Sequence, residues 1–495
     1  MTWFAPAALV ACTASTGSPD SAPPPRSVTT PTATSGSTTD TDPTTEPTQP
    51  PQAIAPIVVV WSLDTTSATV AAAVDLCARV AATAAPYGLD VACRDGAIAP
   101  STWTIESHLR FLYPMHQTAP GHGTVWPACD EKSSLAALAE ALDGRYYAGV
   151  ENNVFNVVQP PCDDDSNAWF HGAEQYWMGG VVPDTVDDVL SDPVGKAIDA
   201  MDDALTSEEA VVLWLNDFLV GGHVPRCYLE PSDPGCGPAW EKAVGYGLVQ
   251  PGDDRQQAWL ELFALMVPLL EKEAAAEGNY DELRELAWGT IVESANRQVD
   301  AHFLVRLDQL LAKVDAAGRM PDLTLVLVGD HGEAPCIEVP FEPELTQCAH
   351  AGLPSEWTGP VPFMVAPATL ADAWHDDGLL GGPDQVWSLN ALPWALYGTL
   401  GVTVPDDWPE PPSPGTAVSW FCRDGQREAT GGVFSSDDDA MLLCGVEACV
   451  PFTNLVPEHP LHRPTPLAEV PAALVEYTLP TSDHPHRFGA ICAGL

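Results

Sequence analysis

Asp330 and His331 stand directly after the short apolar run Leu323–Val328 (LTLVLV) and are followed by Gly332 and Glu333. A continuous run rich in β-branched residues predicts a strand that is buried on both faces of a parallel sheet. Ligand sites in open α/β sheets lie just past the carboxyl ends of the strands. A carboxylate and an imidazole there can bind one metal ion. The alternative is a polar turn that merely ends the strand.

Asp64 ends a second predicted buried strand, Ala55–Leu63 (APIVVVWSL). Residues 68–84 then predict a helix, because apolar side chains recur at helical spacing at Val70, Val74, Cys77 and Val80. Strand, acid and helix in this order form the first half of a βαβ unit. Asp64 is therefore a second candidate oxygen ligand at the carboxyl edge of a sheet.

Thr104 lies in the segment Ala97–Pro114 (AIAPSTWTIESHLRFLYP). A threonine hydroxyl is inert at its own pKa and needs a metal ion or a base to become a nucleophile. Taken alone, Thr104 would cap the helix that follows it. Its function as a nucleophile has to be argued from the rest of the chain.

These segments together resemble the alkaline phosphatase/sulfatase superfamily over roughly residues 55–405, and they occur in the order found in that family. Asp64 matches the metal-binding Asp that ends the first strand, and Asp330-His331-Gly332-Glu333 (DHGE) matches the late metal-binding motif. Thr104 stands at the nucleophile position of a segment similar to APSSWTLPSHASLLTGLYP. The resemblance implies an α/β fold whose largely parallel central sheet carries helices on both faces.

The resemblance also implies two further site residues. His223 matches the second His of a segment similar to FLFVHYYDPHAPY, in which Asn216 stands at the position of the first His. His350 precedes Val361–Pro367 (VPFMVAP), which is similar to the VPLIV strand of the family. Both histidines are expected to hold the anionic group of a substrate or to protonate its leaving group.

The expected metal ligands are Asp64, Thr104, Asp330 and His331. Two carboxylates with one imidazole suit zinc or manganese, with calcium as a further candidate. The family's sulfatases convert a Cys or Ser to formylglycine, and a Thr cannot form that aldehyde. The resemblance therefore implies a hydrolase or transferase that acts through Thr104 on a phosphate-type ester of a small molecule, glycan or lipid.

Two alternatives stay open at this point. The substrate can be a sulfate ester within the same superfamily. The chain can also be a noncatalytic member that serves as a surface binding protein. The second alternative is favoured by two departures from the family: the Arg of the DTLRAD motif is absent after Asp64, and Glu106 replaces a proline.

The composition restricts the partners and the compartment. The 495 residues include 20 Lys and Arg against 68 Asp and Glu, which gives a formal net charge of -48. Such a surface repels nucleic acid and anionic lipid. Beside Cys12, twelve cysteines are expected to form mainly disulfides in an oxidising compartment: Cys77, Cys93, Cys129, Cys162, Cys227, Cys236, Cys336, Cys348, Cys422, Cys444, Cys449 and Cys492.

The first residues resemble a bacterial lipoprotein signal, because Leu9-Val10-Ala11-Cys12 matches a lipobox. We expect residues 1–12 to be this signal and residues 13–52, rich in Thr, Ser and Pro, to be a disordered linker. Residues 53–410 would form the catalytic domain and residues 411–495 a small disulfide-rich extension. The expected location is the cell envelope after export, with attachment to the membrane through lipidated Cys12 only. The oligomeric state does not follow from the sequence.

Overall fold

The computed structural model describes most of the central part of the chain and several short segments near its end. The described residues are 55–102, 104–114, 127–151, 155, 168–178, 192–218, 241, 244, 250–252, 291–339, 342–349, 358–382, 385–422, 429–435, 440–444, 448–452 and 465–466. The predicted signal at residues 1–12, with Cys12, and the linker at residues 13–52 lie outside these ranges.

A seven-stranded sheet forms the centre of the fold. Its strands are β1 (Ile57–Leu63), β2 (Ala92–Arg94), β4 (Arg145–Val150), β5 (Gln175–Met178), β6 (Val211–Asp217), β7 (Leu323–Gly329) and β10 (Phe363–Ala366). Their order in the sheet is β2-β10-β7-β1-β6-β4-β5. The central neighbours β7, β1, β6, β4 and β5 pair in parallel, whereas β10 is antiparallel to both β7 and β2. The predicted, largely parallel α/β sheet is confirmed.

Both faces of this sheet are buried, as the continuous apolar strands predict. Successive side chains of a strand point to opposite faces, so Val58 and Val60 belong to one apolar core, whereas Ile57 and Val59 belong to the other. Every residue of β1, β6 and β7 is buried. The two cores make these strands a rigid support for the residues that follow their carboxyl ends.

Helices pack on the sheet between the strands. The described helices of the central domain are α1 (Ala68–Ala73), α2 (Leu76–Ala84), α3 (Thr104–Leu112), α4 (Ser134–Ala141), α5 (Pro193–Ala200), α6 (Asp202–Thr206), α7 (Leu304–Ala316), α8 (Thr369–Asp376) and α9 (Leu392–Thr399). A π-helical segment, Val299–Phe303, leads into α7. The single helix predicted over residues 68–84 is divided into α1 and α2, because Asp75 adopts a left-handed conformation with φ 53°.

Three smaller sheets complete the described structure. β3 (Ala97–Ile98) pairs with β11 (Trp387–Ser388), and β8 (Ala334–Val339) pairs with β9 (Glu342–Ala349). Near the end of the chain β12 (Thr416–Cys422), β13 (Ala429–Ser435), β14 (Ala440–Cys444), β15 (Ala448–Phe452) and β16 (Thr465–Pro466) form an antiparallel sheet.

Cysteine pairing agrees in part with the expectation of disulfides. Cys77 of α2 is bonded to Cys93 of β2, and Cys129 is also in a disulfide. Cys444 and Cys449 stand opposite each other on β14 and β15. Among the described helices, none is both long enough and apolar enough to cross a bilayer.

Candidate metal centre

Asp64 and Asp330 emerge side by side from the middle of the sheet. The parallel register pairs Leu63 of β1 with Gly329 of β7, so the next residue of each strand leaves the sheet at the same edge. Both aspartates are fully buried. The carboxylates therefore meet at the carboxyl ends of two adjacent parallel strands, as the sequence predicts.

His331 completes a group of three side chains that could hold a metal ion. One ligand atom from each of Asp64, Asp330 and His331 lies within 4.8 Å of the others. The Nδ1 atom of His331 is 3.1 Å from the carbonyl oxygen of Gly332. Because a carbonyl oxygen only accepts, this contact holds the proton on Nδ1 and leaves Nε2 with the lone pair that a metal ligand needs.

Thr104 is the first residue of α3, and its hydroxyl group points at this group of side chains. The Oγ1 atom lies 2.9 Å from His331 Nε2 and donates to Asp64 Oδ1 at 3.3 Å. Only 2% of Thr104 is exposed. The structure therefore brings together all four residues that the sequence predicts as metal ligands.

The two carboxylate oxygens of Asp330 have different surroundings. Its Oδ1 accepts hydrogen bonds from the backbone N–H groups of Thr65 at 3.0 Å and of His331 at 2.9 Å. Its Oδ2 has no hydrogen-bond partner among the described residues. Burial, and then the negative charge of Asp64, raises the pKa of Asp330 well above its usual range.

These observations fit a divalent cation. Two buried carboxylates repel each other unless a positive charge lies between them. The oxygen Asp330 Oδ2 is buried without a hydrogen bond, and His331 offers an unprotonated nitrogen at the same place. The donor set of two oxygens and one nitrogen is one that zinc and manganese accept.

The backbone at the end of β1 is strained where it supports this site. Thr65 has φ 56°, which is a true outlier for a β-branched residue. Its N–H group in that conformation donates to Asp330 Oδ1. Such strain costs about 1–3 kcal/mol and persists where the surrounding structure enforces it, most often at functional sites.

A hydrogen-bonded network behind Thr104 was not predicted from the sequence. Ser107 Oγ donates to the carbonyl oxygen of Asp330 at 2.6 Å. His108 Nδ1 lies 2.7 Å from the carbonyl oxygen of Thr104, and His108 Nε2 lies 3.0 Å from Ser62 Oγ. Asn216 Nδ2 donates to the same Ser62 Oγ at 3.0 Å. The available signal was a polar residue near the end of each buried strand, Ser62 in IVVVWSL and Asn216 in VVLWLND.

His108 is buried and uncharged in this network. Burial lowers its pKa to about 3. The rings of Phe111, Phe155 and Trp214 surround it at centroid distances of 4.7, 5.0 and 5.6 Å. Its Nδ1 is also 3.6 Å from Asp330 Oδ2, which is too far for a hydrogen bond.

Glu106, which replaces the proline of the family, is accommodated within α3. It is 2% exposed, and it accepts a hydrogen bond from Ser101 Oγ at 2.9 Å. Its charge also acts on the buried guanidinium of Arg110, one helical turn later, whose pKa is lowered by burial. The replacement therefore has local partners, Ser101 before α3 and Arg110 within it, and Thr104 still begins this helix.

An ionic cluster, buried except at Asp192, lies at the next two strand ends. Arg306 of α7 contacts Glu151 at 2.6 Å, Asp192 at 2.8 Å and Asp217 at 3.3 Å. The carbonyl oxygen of Asp217 accepts a hydrogen bond from the N–H group of Asp64 at 2.9 Å. This cluster, which was not predicted, therefore connects α7 through β6 to Asp64, a candidate metal ligand.

The two remaining predicted site residues, His223 and His350, lie outside the described residues. Their proximity to Thr104 stays a prediction.

No family model matches this chain, and no curated protein sequence matches it either. Several solved structures are similar to it. A 2-O GAG sulfatase is 12% identical with a TM-score of 0.50, over 87% of this chain and 93% of that chain. A proposed sulfatase from Bacteroides thetaiotaomicron VPI-5482 is 11% identical with a TM-score of 0.49, over 89% and 94%. The phosphonate monoester hydrolase of Agrobacterium radiobacter is 13% identical with a TM-score of 0.44, over 80% and 89%.

Of these three likenesses, the first reaches a TM-score of 0.5, and at 12% identity it shows the fold alone. The chain shares the fold of this sulfatase, with a largely parallel central sheet, as its sequence predicts.

Proposed function

We propose that this chain is a metal-dependent hydrolase or transferase that acts on phosphate-type esters through Thr104 at the cell envelope. The observation that carries the proposal is the position of the Thr104 hydroxyl, 2.9 Å from His331 Nε2 and 3.3 Å from Asp64 Oδ1 in a buried site. A hydroxyl held between an imidazole nitrogen and a carboxylate is placed as an activated nucleophile. The sulfatase-like fold supports the same conclusion.

Asp64, Asp330 and His331, together with Thr104, would hold the divalent cation. Zinc and manganese suit this mixed oxygen and nitrogen set best, and calcium is a further candidate. When bound, such a cation would lower the pKa of the Thr104 hydroxyl and neutralise charge on a nonbridging oxygen of the ester.

The chemistry of the chain's own residues begins with the Thr104 hydroxyl. Its oxygen bonds to phosphorus, its proton passes to an acceptor such as Asp64 Oδ1, and the bond from phosphorus to the leaving alcohol breaks. The leaving oxygen takes a proton, for which His223 and His350 are the proposed donors. Water or a second alcohol then attacks the phosphothreonine, which gives hydrolysis or transfer and restores Thr104.

A sulfate ester of a small molecule, glycan or lipid is the second candidate substrate. The fold shared with a 2-O GAG sulfatase favours it. The residue type at position 104 favours a phosphate-type ester instead, because the resemblance implies formylglycine in sulfatases and a Thr cannot form it. The two substrates are distinguished by turnover of p-nitrophenyl sulfate against bis-p-nitrophenyl phosphate.

Metal content tests whether the site is a metal centre. We expect elemental analysis of the purified chain to find a stoichiometric amount of zinc or manganese. Asp330→Ala should remove it, because this change deletes the oxygen Asp330 Oδ2 that has no other described partner. A wild-type chain that takes up neither metal would support the noncatalytic surface protein instead.

The nucleophile is tested with a pair of variants. Thr104→Ala should abolish ester turnover, whereas Thr104→Ser keeps a hydroxyl and should retain part of it. Both variants keep the residue inside α3, where it is buried, so thermal unfolding serves as the control for folding. Undiminished hydrolysis by Thr104→Ala would exclude Thr104 as the nucleophile.

The location at the cell envelope is proposed from the lipobox-like residues before Cys12 and the polar linker after it. Cys12→Ser should release the chain from the membrane fraction into the soluble fraction. Recovery of the wild-type chain in the cytoplasm would contradict the proposal.

A further inference from the structure

We propose that His108 is a positioning residue that holds the first turn of α3, and with it the Thr104 hydroxyl, against Asp64 and His331. This inference rests on the proposed function of Thr104. His108 touches neither Asp64 nor the hydroxyl of Thr104 among its described hydrogen bonds. It acts through the backbone of Thr104 and through β1.

The first step of the argument is the direction of each hydrogen bond. The carbonyl oxygen of Thr104 only accepts, so at 2.7 Å His108 Nδ1 must carry the proton. A neutral imidazole then accepts at Nε2, and the donor 3.0 Å away is the hydroxyl group of Ser62. The two nitrogens of one ring therefore connect the start of α3 to the end of β1.

The second step is the support of Ser62 itself. Its hydroxyl oxygen accepts from Asn216 Nδ2 at 3.0 Å. Its single proton lies between two acceptors, His108 Nε2 at 3.0 Å and the carbonyl oxygen of Leu215 at 3.1 Å. Ser62 and Asn216 stand opposite each other in the register of β1 and β6. Both strands are buried along their whole length, so the network is anchored in the least mobile part of the sheet.

The third step is a second anchor on the same helix. Ser107 Oγ donates to the carbonyl oxygen of Asp330 at 2.6 Å. Helix α3 is thus tied to β7 by Ser107 and to β1 by His108, and Thr104 begins that helix. Small displacements of a reacting group can lower a rate by about 100-fold, so such ties matter for the chemistry.

A different interpretation is that His108 is only a well-packed core residue. Two substitutions separate the interpretations, because the amide nitrogen of Asn takes the donor position of Nδ1, whereas the amide oxygen of Gln takes the acceptor position of Nε2. His108→Asn keeps a donor to the Thr104 carbonyl, and His108→Gln keeps the contact with Ser62. For packing alone the larger Gln should be tolerated better than Asn, because it leaves a smaller cavity.

The experiment measures kcat and KM for bis-p-nitrophenyl phosphate and the affinity for Mn²⁺ in the wild type, His108→Asn and His108→Gln. We expect His108→Asn to stay within about threefold of wild type in kcat and in Mn²⁺ affinity, because Thr104 stays in place. We expect His108→Gln to lose roughly 10- to 100-fold in both, the usual cost of removing an orienting hydrogen bond, with KM unchanged. Urea unfolding should show His108→Gln to be at least as stable as His108→Asn.

A larger loss of kcat and Mn²⁺ affinity in His108→Asn than in His108→Gln, or equal losses in the two variants, would overturn the positioning role. A wild-type chain that binds Mn²⁺ but turns over no ester would refute the proposed function instead. In that case the Mn²⁺ affinities still decide the role of His108, because Thr104 is one of the expected metal ligands.

Discussion

At the scale of single residues, the site depends on a close approach of two backbones. Gly329 is the last residue of β7, directly before Asp330. A Cβ atom at this position would lie 2.3 Å from the carbonyl oxygen of Thr66 and 2.9 Å from Pro362 Cδ. Side chains never approach backbone atoms so closely, so the segments after β1 and before Asp330 can meet only because residue 329 is a glycine.

We therefore predict that Gly329→Ala lowers stability and weakens metal binding together. The added methyl group must push the end of β1 away from β7, at an expected cost of about 1–3 kcal/mol of overpacking. Urea unfolding and elemental analysis measure the two effects.

Gly398→Ala provides the matched control for this change. Gly398 lies in α9, and a Cβ there meets nothing within 4 Å. Because alanine favours a helix, this variant should gain up to about 1 kcal/mol and keep its metal. Equal changes in stability and metal content in Gly329→Ala and Gly398→Ala would show that the contact with Thr66 does not constrain the site.

At the scale of elements, α7 is held to the ends of β4 and β6 by ion pairs in which one guanidinium faces several carboxylates. Arg306 contacts the carboxylates of Glu151, Asp192 and Asp217. Glu151 and Asp217 are buried with Arg306, whereas the side chain of Asp192 is 51% exposed. One guanidinium cannot fully compensate the two buried carboxylates. Burial and the charge of Asp217 raise the pKa of Glu151 to about 8, against the attraction of Arg306. The folded chain therefore keeps a proton on Glu151 that the unfolded chain loses at lower pH.

This pKa shift predicts how stability depends on pH. The pKa of Glu151 is 4.5 for the free side chain and about 8 in the folded state. Between these values the folded state binds more protons than the unfolded state, so the free energy of unfolding falls as pH rises. The contribution of Glu151 to the free energy of unfolding is fully present below pH 4.5 and is lost as pH rises toward about 8. One such group contributes a slope of at most about 1.4 kcal/mol per pH unit.

Glu151→Gln should remove this part of the pH dependence, because an amide does not titrate. Urea unfolding at pH 5.5 and pH 8 should show a smaller loss of stability for Glu151→Gln than for wild type. Glu140→Gln on α4 is the control, since the Glu140 side chain is 67% exposed and forms an ion pair with Lys132 at the surface. A loss as large in Glu151→Gln as in wild type would show that another group binds the proton.

The elements that carry the candidate metal ligands were predictable, and the contacts that surround these ligands were not. Continuous apolar runs ending in Asp64 and Asp330 have one physical explanation, a buried parallel strand with a polar end. The order of the strands, the antiparallel direction of β10 and the break at Asp75 depend on distant contacts. For the same reason the hydrogen bonds of His108 and the cluster around Arg306 join residues that no sequence spacing connects.

At the scale of the whole molecule, the balance of charge is the strongest feature. With 20 basic residues against 68 acidic ones, most carboxylates lack a basic partner even if every Lys and Arg is paired. Among the described residues, one basic side chain often contacts two carboxylates. Lys313 contacts Asp199 and Asp202, and Arg145 contacts Glu174 and Glu209. Repulsion among the remaining carboxylates opposes the compact state more than the unfolded one.

Salt should therefore stabilise this protein. Raising NaCl from about 0.01 M to about 0.15 M shortens the Debye length from about 30 Å to about 8 Å and screens the repulsion. We predict an increase in the midpoint of thermal unfolding of at least about 2 °C, which corresponds to roughly 1 kcal/mol for a large domain. Tetramethylammonium chloride at the same ionic strength should act equally, because screening does not depend on which monovalent cation is present. A midpoint that falls with NaCl, or rises with NaCl alone, would mean that specific ion binding outweighs the net charge of -48.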